Sequence, residues 1–121
     1  MSTWTWLGVA ALGGLGALAR FLIDGAIDER ISGGFPAGTF AINISGSLLL
    51  GLLAGLALSG DALVLAGSAT LGSYTTFSTW MFESHRLAED ADLKGAALNV
   101  LASLAIGIGA AALGHAIGAQ L

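Results

Sequence analysis

The sequence predicts an all-α membrane protein with four transmembrane helices. Only 10% of its 121 residues are charged and 55% are hydrophobic, whereas a soluble domain has about 25% charged residues. Four apolar segments approach the roughly 20 residues that a helix needs to cross a bilayer. Nineteen glycines accompany a single proline, which suits helices packed backbone to backbone. We therefore interpret residues 1–121 as a single four-helix transmembrane domain.

Short charged connections separate the four predicted spans. The spans cover residues 4–23, 37–58, 62–82 and 95–119. Trp4 and Trp6 open the first span, as expected of an interfacial aromatic belt. Pro36 stands just before the second span, where its missing N–H costs no helical hydrogen bond. The net charge is −4 and there is no basic patch, so we expect no nucleic-acid partner.

The third predicted span contains a dense polar run, residues 72–79. Five serine and threonine hydroxyls fall within these eight residues, and hydrocarbon offers them no water. The hydroxyls could bond to carbonyls of the preceding turn or to neighbouring helices. Alternatively, Gly72 and Ser73 interrupt the helix, which frees carbonyls for a cation and N–H groups for an anion. The density of hydroxyls favours a break in the third span.

Other side chains within the spans allow both a packing role and a ligand role. Asn43 is either a helix–helix contact or a hydrogen-bond donor to a ligand. Phe77 and Trp80 are three residues apart, and their ring edges could either pack or face an anion. Asn99 and Ser103 are four residues apart, so they form either a polar track or bonds to a neighbouring helix.

Charged residues at the ends of the spans suggest an orientation. Arg20, Arg30, Arg86 and Lys94 all lie on the side of the first and third connections, while the termini and the second connection carry no Lys or Arg. This count of 4 to 0 predicts that both termini lie outside. Arg20 near its span end either snorkels as an anchor or concentrates anions in a vestibule.

Three stretches of the chain resemble sequence signatures of the Fluc (CrcB) fluoride channel family. They are residues 13–20, a glycine-rich stretch ending at Arg20; residues 35–46, which include Asn43; and residues 72–80, followed by Glu83. The three occur in the family's order in a chain of matching length and span number, and the resemblance covers nearly all of it.

The resemblance implies a fluoride-selective channel for passive fluoride export, built as an antiparallel (dual-topology) dimer with two pores. It implies a structural sodium ion on the dimer axis, held by the backbone carbonyls of Gly72 and Thr75 of both subunits. The implied fluoride path runs past Asn43, Phe77, Trp80, Ser78, Thr79, Arg20, Glu83 and Ser103. The expected partners are fluoride and the lipid bilayer. The expected location is the plasma membrane, which is the inner membrane of a bacterium.

Two positions depart from the family's pattern. Trp80 stands where the family usually has phenylalanine, and Asn99 where an aromatic residue is expected. The indole N–H of Trp80 could meet fluoride, or the wider ring could narrow the path. The uneven loop charges also leave open a heterodimer with an oppositely inserted homologue, beside the homodimer that the resemblance favours.

Two other classes of function agree with part of the sequence. A small proton-coupled multidrug exporter needs a carboxylate well within a span, yet the first span has no acid before Asp24 and Glu83 lies near a span end. A non-conducting membrane subunit would explain the glycines but not the polar run. The sequence has no plausible nucleophile–base pair or metal-ligand cluster, so we do not expect an enzyme.

Overall fold

The computed structural model describes residues 1–121 and is entirely helical. The helices are α1 (Thr3–Arg30), α2 (Ala37–Gly55), α3 (Gly60–Leu63), a π-helical segment (Val64–Leu71), α4 (Gly72–Tyr74), α5 (Ser78–Glu89) and α6 (Leu93–Ala119). The third predicted span thus corresponds to a series of shorter pieces.

Helices α1, α2 and α6 are long and apolar enough to cross a membrane. Their mean hydropathies are 1.7, 1.6 and 2.0, and few of their residues are buried inside the chain. An apolar helix that stays exposed in its own chain must face lipid or another protein. The chain is therefore a helical membrane protein with three candidate spans, and no single helix within the third predicted span has the length of one.

Two helices end at different places from the predicted spans. Helix α1 continues through the acidic residues expected in the first connection and ends at Arg30, since the backbone is already extended at Ile31, with φ −114° and ψ 109°. Helix α2 ends earlier than predicted, at Gly55. There Ala57 adopts a φ of 57°, which a continuing right-handed helix does not allow.

The interruption in the third predicted span lies at residues 75–77. The prediction that Gly72 and Ser73 break the helix is wrong, since Gly72 has helical angles of −63° and −36°. The Ser73 hydroxyl donates to two carbonyls of the preceding turns at 2.7 and 3.0 Å, which holds this stretch in the helix. The backbone becomes extended only at Thr75, with φ −80° and ψ 159°.

Glycines bring α2 and α6 into close contact within the chain. A Cβ atom on Gly51 would overlap with the Ala111 carbonyl, and one on Gly114 would overlap with the Leu48 carbonyl. Gly55 and Gly118, one turn further along each helix, approach the partner backbone in the same way. These four glycines let α2 and α6 pack closely inside one subunit.

Two further glycines hold the interrupted segment against α1 and α2. Gly16 of α1 lies against the Thr70 carbonyl and the Ser73 hydroxyl, where a Cβ would overlap with both. Gly46 of α2 lies against the Thr75 methyl group in the same manner. Close contacts with α1 therefore position the helical turns before the interruption, and a close contact with α2 positions Thr75 at its start.

Candidate functional site

An open cavity of about 410 Å³ lies beside the interruption, and we call it the break cavity. Its wall includes Asn43 and Ser47 of α2, Thr75, Thr76 and Phe77 of the interruption, Trp80 of α5, and Ser103 and Gly107 of α6. Four predicted path residues therefore converge here: Asn43, Phe77, Trp80 and Ser103. Sequence reasoning missed Ser47, although its position one helical turn after Asn43 places it on the same face.

The other predicted path residues lie outside the break cavity. Arg20 and Thr79 line a separate cavity of about 220 Å³, the Arg20 cavity. Glu83 lines a third cavity of about 340 Å³ beside the connection from α1 to α2, the loop cavity. Ser78 is exposed and lines none of the three.

Two threonines that were not among the predicted path residues connect these cavities. Thr76 lines both the break cavity and the Arg20 cavity. Thr39 lines the Arg20 cavity, and its hydroxyl donates to the Glu83 carboxylate. A row of polar groups thus runs from the break cavity past Arg20 to Glu83.

Arg20 makes no direct ion pair, although Asp24 lines the same cavity. The His85 imidazole contacts the Glu89 carboxylate at 2.7 Å on the surface of α5, whereas no acidic oxygen lies within 4 Å of the Arg20 guanidinium. The anchoring and vestibule interpretations of Arg20 both stay predictions. Its positive charge is available to the Arg20 cavity.

Asn43 binds the interruption through both ends of its amide. Its Oδ1 accepts the Thr76 backbone N–H at 2.9 Å, and its Nδ2 donates to the Thr76 carbonyl at 2.8 Å. This pairing fixes which way the amide points, because the opposite orientation would place donor against donor and acceptor against acceptor. One Nδ2 hydrogen is used, and the other is left for a further acceptor.

The same contacts change the partners of two backbone carbonyls. In a continuous α-helix the Gly72 carbonyl would accept the Thr76 N–H, but that N–H donates to Asn43. The Thr75 carbonyl would accept the Thr79 N–H, but this group donates to the Thr76 hydroxyl at 3.2 Å. The two carbonyls predicted to hold a cation are those that lose their helical donors here.

Replacing Thr76 by valine is expected to destabilise the start of α5. The Thr76 hydroxyl accepts the Thr79 N–H like a helix cap, and the loss of such a cap costs about 1 kcal/mol. Thermal unfolding in detergent should show the change. Ser68→Ala is the matched control, because Ser68 is exposed, and an equal loss in both variants would contradict the assignment.

The Trp80 ring packs against Phe77, and its indole N–H is bonded to α6. The two ring centroids are 5.8 Å apart at an angle of 85°, the edge-to-face arrangement that aromatic pairs prefer. The indole N–H donates to the backbone carbonyl of Asn99 at 3.0 Å. The possibility that this N–H meets fluoride is therefore not supported, because the group is already bonded within the subunit.

The fold and the site define a small helical membrane protein with a cavity beside an interrupted helix, whose wall combines a few polar side chains with apolar residues such as Leu50, Leu104 and Ile108. Residues 7–115 match the family model described as CrcB-like protein, Camphor Resistance (CrcB). The chain belongs to the Fluc (CrcB) family of fluoride-specific ion channels.

Curated relatives support this membership over nearly their whole length. The chain is 51% identical to fluoride-specific ion channel FluC 2 of Mycolicibacterium paratuberculosis, covering 96% of this chain and 94% of the relative. It is 49% identical to FluC 2 of Mycobacterium bovis, covering 91% and 87%. It is 45% identical to FluC 1 of Symbiobacterium thermophilum, covering 96% and 97%. These relatives are named as ion channels, a class distinct from enzymes, which agrees with the prediction that the chain is not an enzyme.

Proposed function

We propose that the chain forms a fluoride-selective channel that lets fluoride leave the cell passively across the plasma membrane. The observation that carries the proposal is the break cavity, whose wall includes Asn43, Ser103 and the aromatic side chains of Phe77 and Trp80. The names of the relatives point to the same ion.

The chemistry of the break cavity suits a small, strongly hydrated anion. A selective path must replace the hydration shell with donors, yet bind weakly enough for the ion to leave. Asn43 keeps one free N–H, and Ser103 is 7% exposed with a hydroxyl that has no partner in the chain. Ring edges add weak positive charge without a deep binding well.

The lining of the break cavity disfavours a proton-coupled exporter. No carboxylate contributes to it. Glu83 lies instead at the loop cavity, where the Thr39 hydroxyl bonds it. A proton-coupled carrier would need an acid where its substrate binds. Passive conduction therefore agrees better with this lining.

An antiparallel dimer with two pores would complete the path. Phe77 is 70% exposed in the single subunit, and Gly72 is exposed, with room for a Cβ that would meet only the Gly67 carbonyl at ordinary contact distance. A second copy on this face would cover both. The carbonyls of Gly72 and Thr75 from the two subunits would then form a four-oxygen site for a structural sodium ion, whose charge would offset the converging carbonyl dipoles.

Fluoride efflux from liposomes that hold the purified chain alone is the test of this proposal. Robust fluoride efflux without chloride efflux is the expected result, and it would establish a self-sufficient homodimer. Efflux that appears only after an oppositely inserted homologue is added would establish a heterodimer instead. No efflux under either condition, or drug transport driven by a proton gradient without fluoride efflux, would overturn the channel assignment.

A further inference from the structure

We propose that Ser47 of α2 supplies the last hydrogen-bond donor of the fluoride path, beside a gap that Gly107 of α6 leaves open. This inference rests on the proposed channel function. It places a binding position for fluoride one helical turn beyond Asn43, on the side of the connection from α2 to α3.

The hydroxyl of Ser47 is free for a ligand. A serine inside a helix commonly donates to a carbonyl of the preceding turn, as Ser45, Ser73 and Ser84 do in this chain. Ser47 forms no hydrogen bond within the chain, and it is half-buried in the wall of the break cavity. A hydroxyl without a partner is costly in an apolar span, so a polar occupant of the cavity would satisfy it.

Gly107 leaves room beside this hydroxyl. A Cβ atom on Gly107 would lie 3.7 Å from the Ser47 hydroxyl oxygen and 3.7 Å from the Ile44 side chain. These are ordinary contact distances, so packing against α2 does not require a glycine here. Gly107 and Ser47 both line the break cavity, and the absent side chain leaves a gap next to the hydroxyl. A fluoride ion is smaller than a methyl group and would fit in such a gap.

The position of Ser47 continues the row of donors that begins at Asn43. Ser47 follows Asn43 by one turn on α2, and Gly107 follows Ser103 by one turn on α6. The two helices run in the same direction, as their glycine contacts show. The Ser103 hydroxyl is buried and has no partner in the chain. An ion that leaves Asn43 and Ser103 therefore meets Ser47 about 6 Å further along, the rise of four helical residues.

The polar part of the cavity wall ends at Ser47. After Ser47 and Gly107, the residues of α2 and α6 that line the cavity are Leu50, Ile108 and Ala111. Apolar side chains offer fluoride no replacement for its hydration shell. Ser47 is thus the last side chain on these two helices that holds the ion before it regains water.

Ser47→Ala tests the role of the hydroxyl directly. Fluoride efflux from liposomes should slow by roughly tenfold, the factor for the loss of one hydrogen bond to an ion. The unfolding temperature in detergent should not fall, because the hydroxyl holds no other group of the chain. Ser45→Ala is the matched control, since its hydroxyl is bonded within the chain, and it should stay within about twofold of the unchanged chain. Efflux from Ser47→Ala within the same twofold range would overturn the proposal and leave the channel function standing.

A hydroxyl returned to the gap from α6 separates ion binding from packing. Ser47→Ala combined with Gly107→Ser should regain efflux to within about threefold of the unchanged chain, because the gap accepts a Cβ on residue 107. Ser47→Ala combined with Gly107→Ala adds the same Cβ without a hydroxyl and should stay slow. Equal efflux from the two double variants would overturn the proposal. Absence of fluoride efflux from the unchanged chain would instead refute the channel function, and the role of Ser47 with it.

Discussion

Asn43→Asp is expected to abolish fluoride efflux, with a loss of about 100-fold or more. The substitution keeps the shape of the side chain but replaces the Nδ2 donor by an oxygen, 2.8 Å from the Thr76 carbonyl oxygen. Two acceptors would then face each other at the interruption. The carboxylate would also place a negative charge on the wall of the break cavity, where it would repel fluoride.

A matched variant on the same helix separates this effect from a general loss of packing. Ser45 lies two residues after Asn43, outside the break cavity, and its hydroxyl contacts the Ile42 carbonyl and the Tyr74 hydroxyl. Ser45→Ala should keep fluoride efflux within about twofold of the unchanged chain, the range of a modest hydrogen-bond loss. Efflux from Asn43→Asp that matches Ser45→Ala would show that Asn43 has no part in the path.

The position of the interruption shows where sequence reasoning reaches its limit. The polar run at residues 72–79 predicted that the third span is broken, because lipid penalises so many hydroxyls in an ordinary helix. The residue at which the helix stops depends on which acceptors the backbone N–H groups find, those in their own helix or those on another helix. Ser73 bonds backwards within its own helix, whereas the Thr76 N–H is taken by Asn43 from a helix 33 positions away in sequence. The helix propensity of residues 72–79 cannot reveal an acceptor that is so far away in sequence.

Trp80 and Asn99 illustrate the same limit at the site. Each departs from the family's pattern, and the sequence offers no reason to connect residues that lie 19 positions apart. In the structure the indole N–H of Trp80 donates to the backbone carbonyl of Asn99. Asn99 and Ser103 are both buried polar residues on α6, but Asn99 bonds Ser84 of the neighbouring α5, whereas Ser103 lines the break cavity.

Gly114→Ala is expected to cause a large loss of folding stability. A Cβ at this position would overlap with the Leu48 carbonyl and crowd the Leu52 backbone N–H of α2. Neither group belongs to a side chain that can rotate away, so α2 and α6 would have to separate. Overpacking of this kind costs about 1–3 kcal/mol, and in a membrane close backbone contact is itself a main source of helix association.

Gly109→Ala on the same helix is the matched control, because a Cβ there meets no atom within 4 Å. The control should be neutral or slightly stabilising, since alanine favours a helix over glycine by up to about 1 kcal/mol. Thermal unfolding in detergent should therefore move in opposite directions for the two variants. Both helices also carry walls of the break cavity, with Asn43 on α2 and Ser103 on α6, so Gly114→Ala should slow fluoride efflux as well. Equal stability of the two variants would mean that α2 and α6 are not held by the glycine contact.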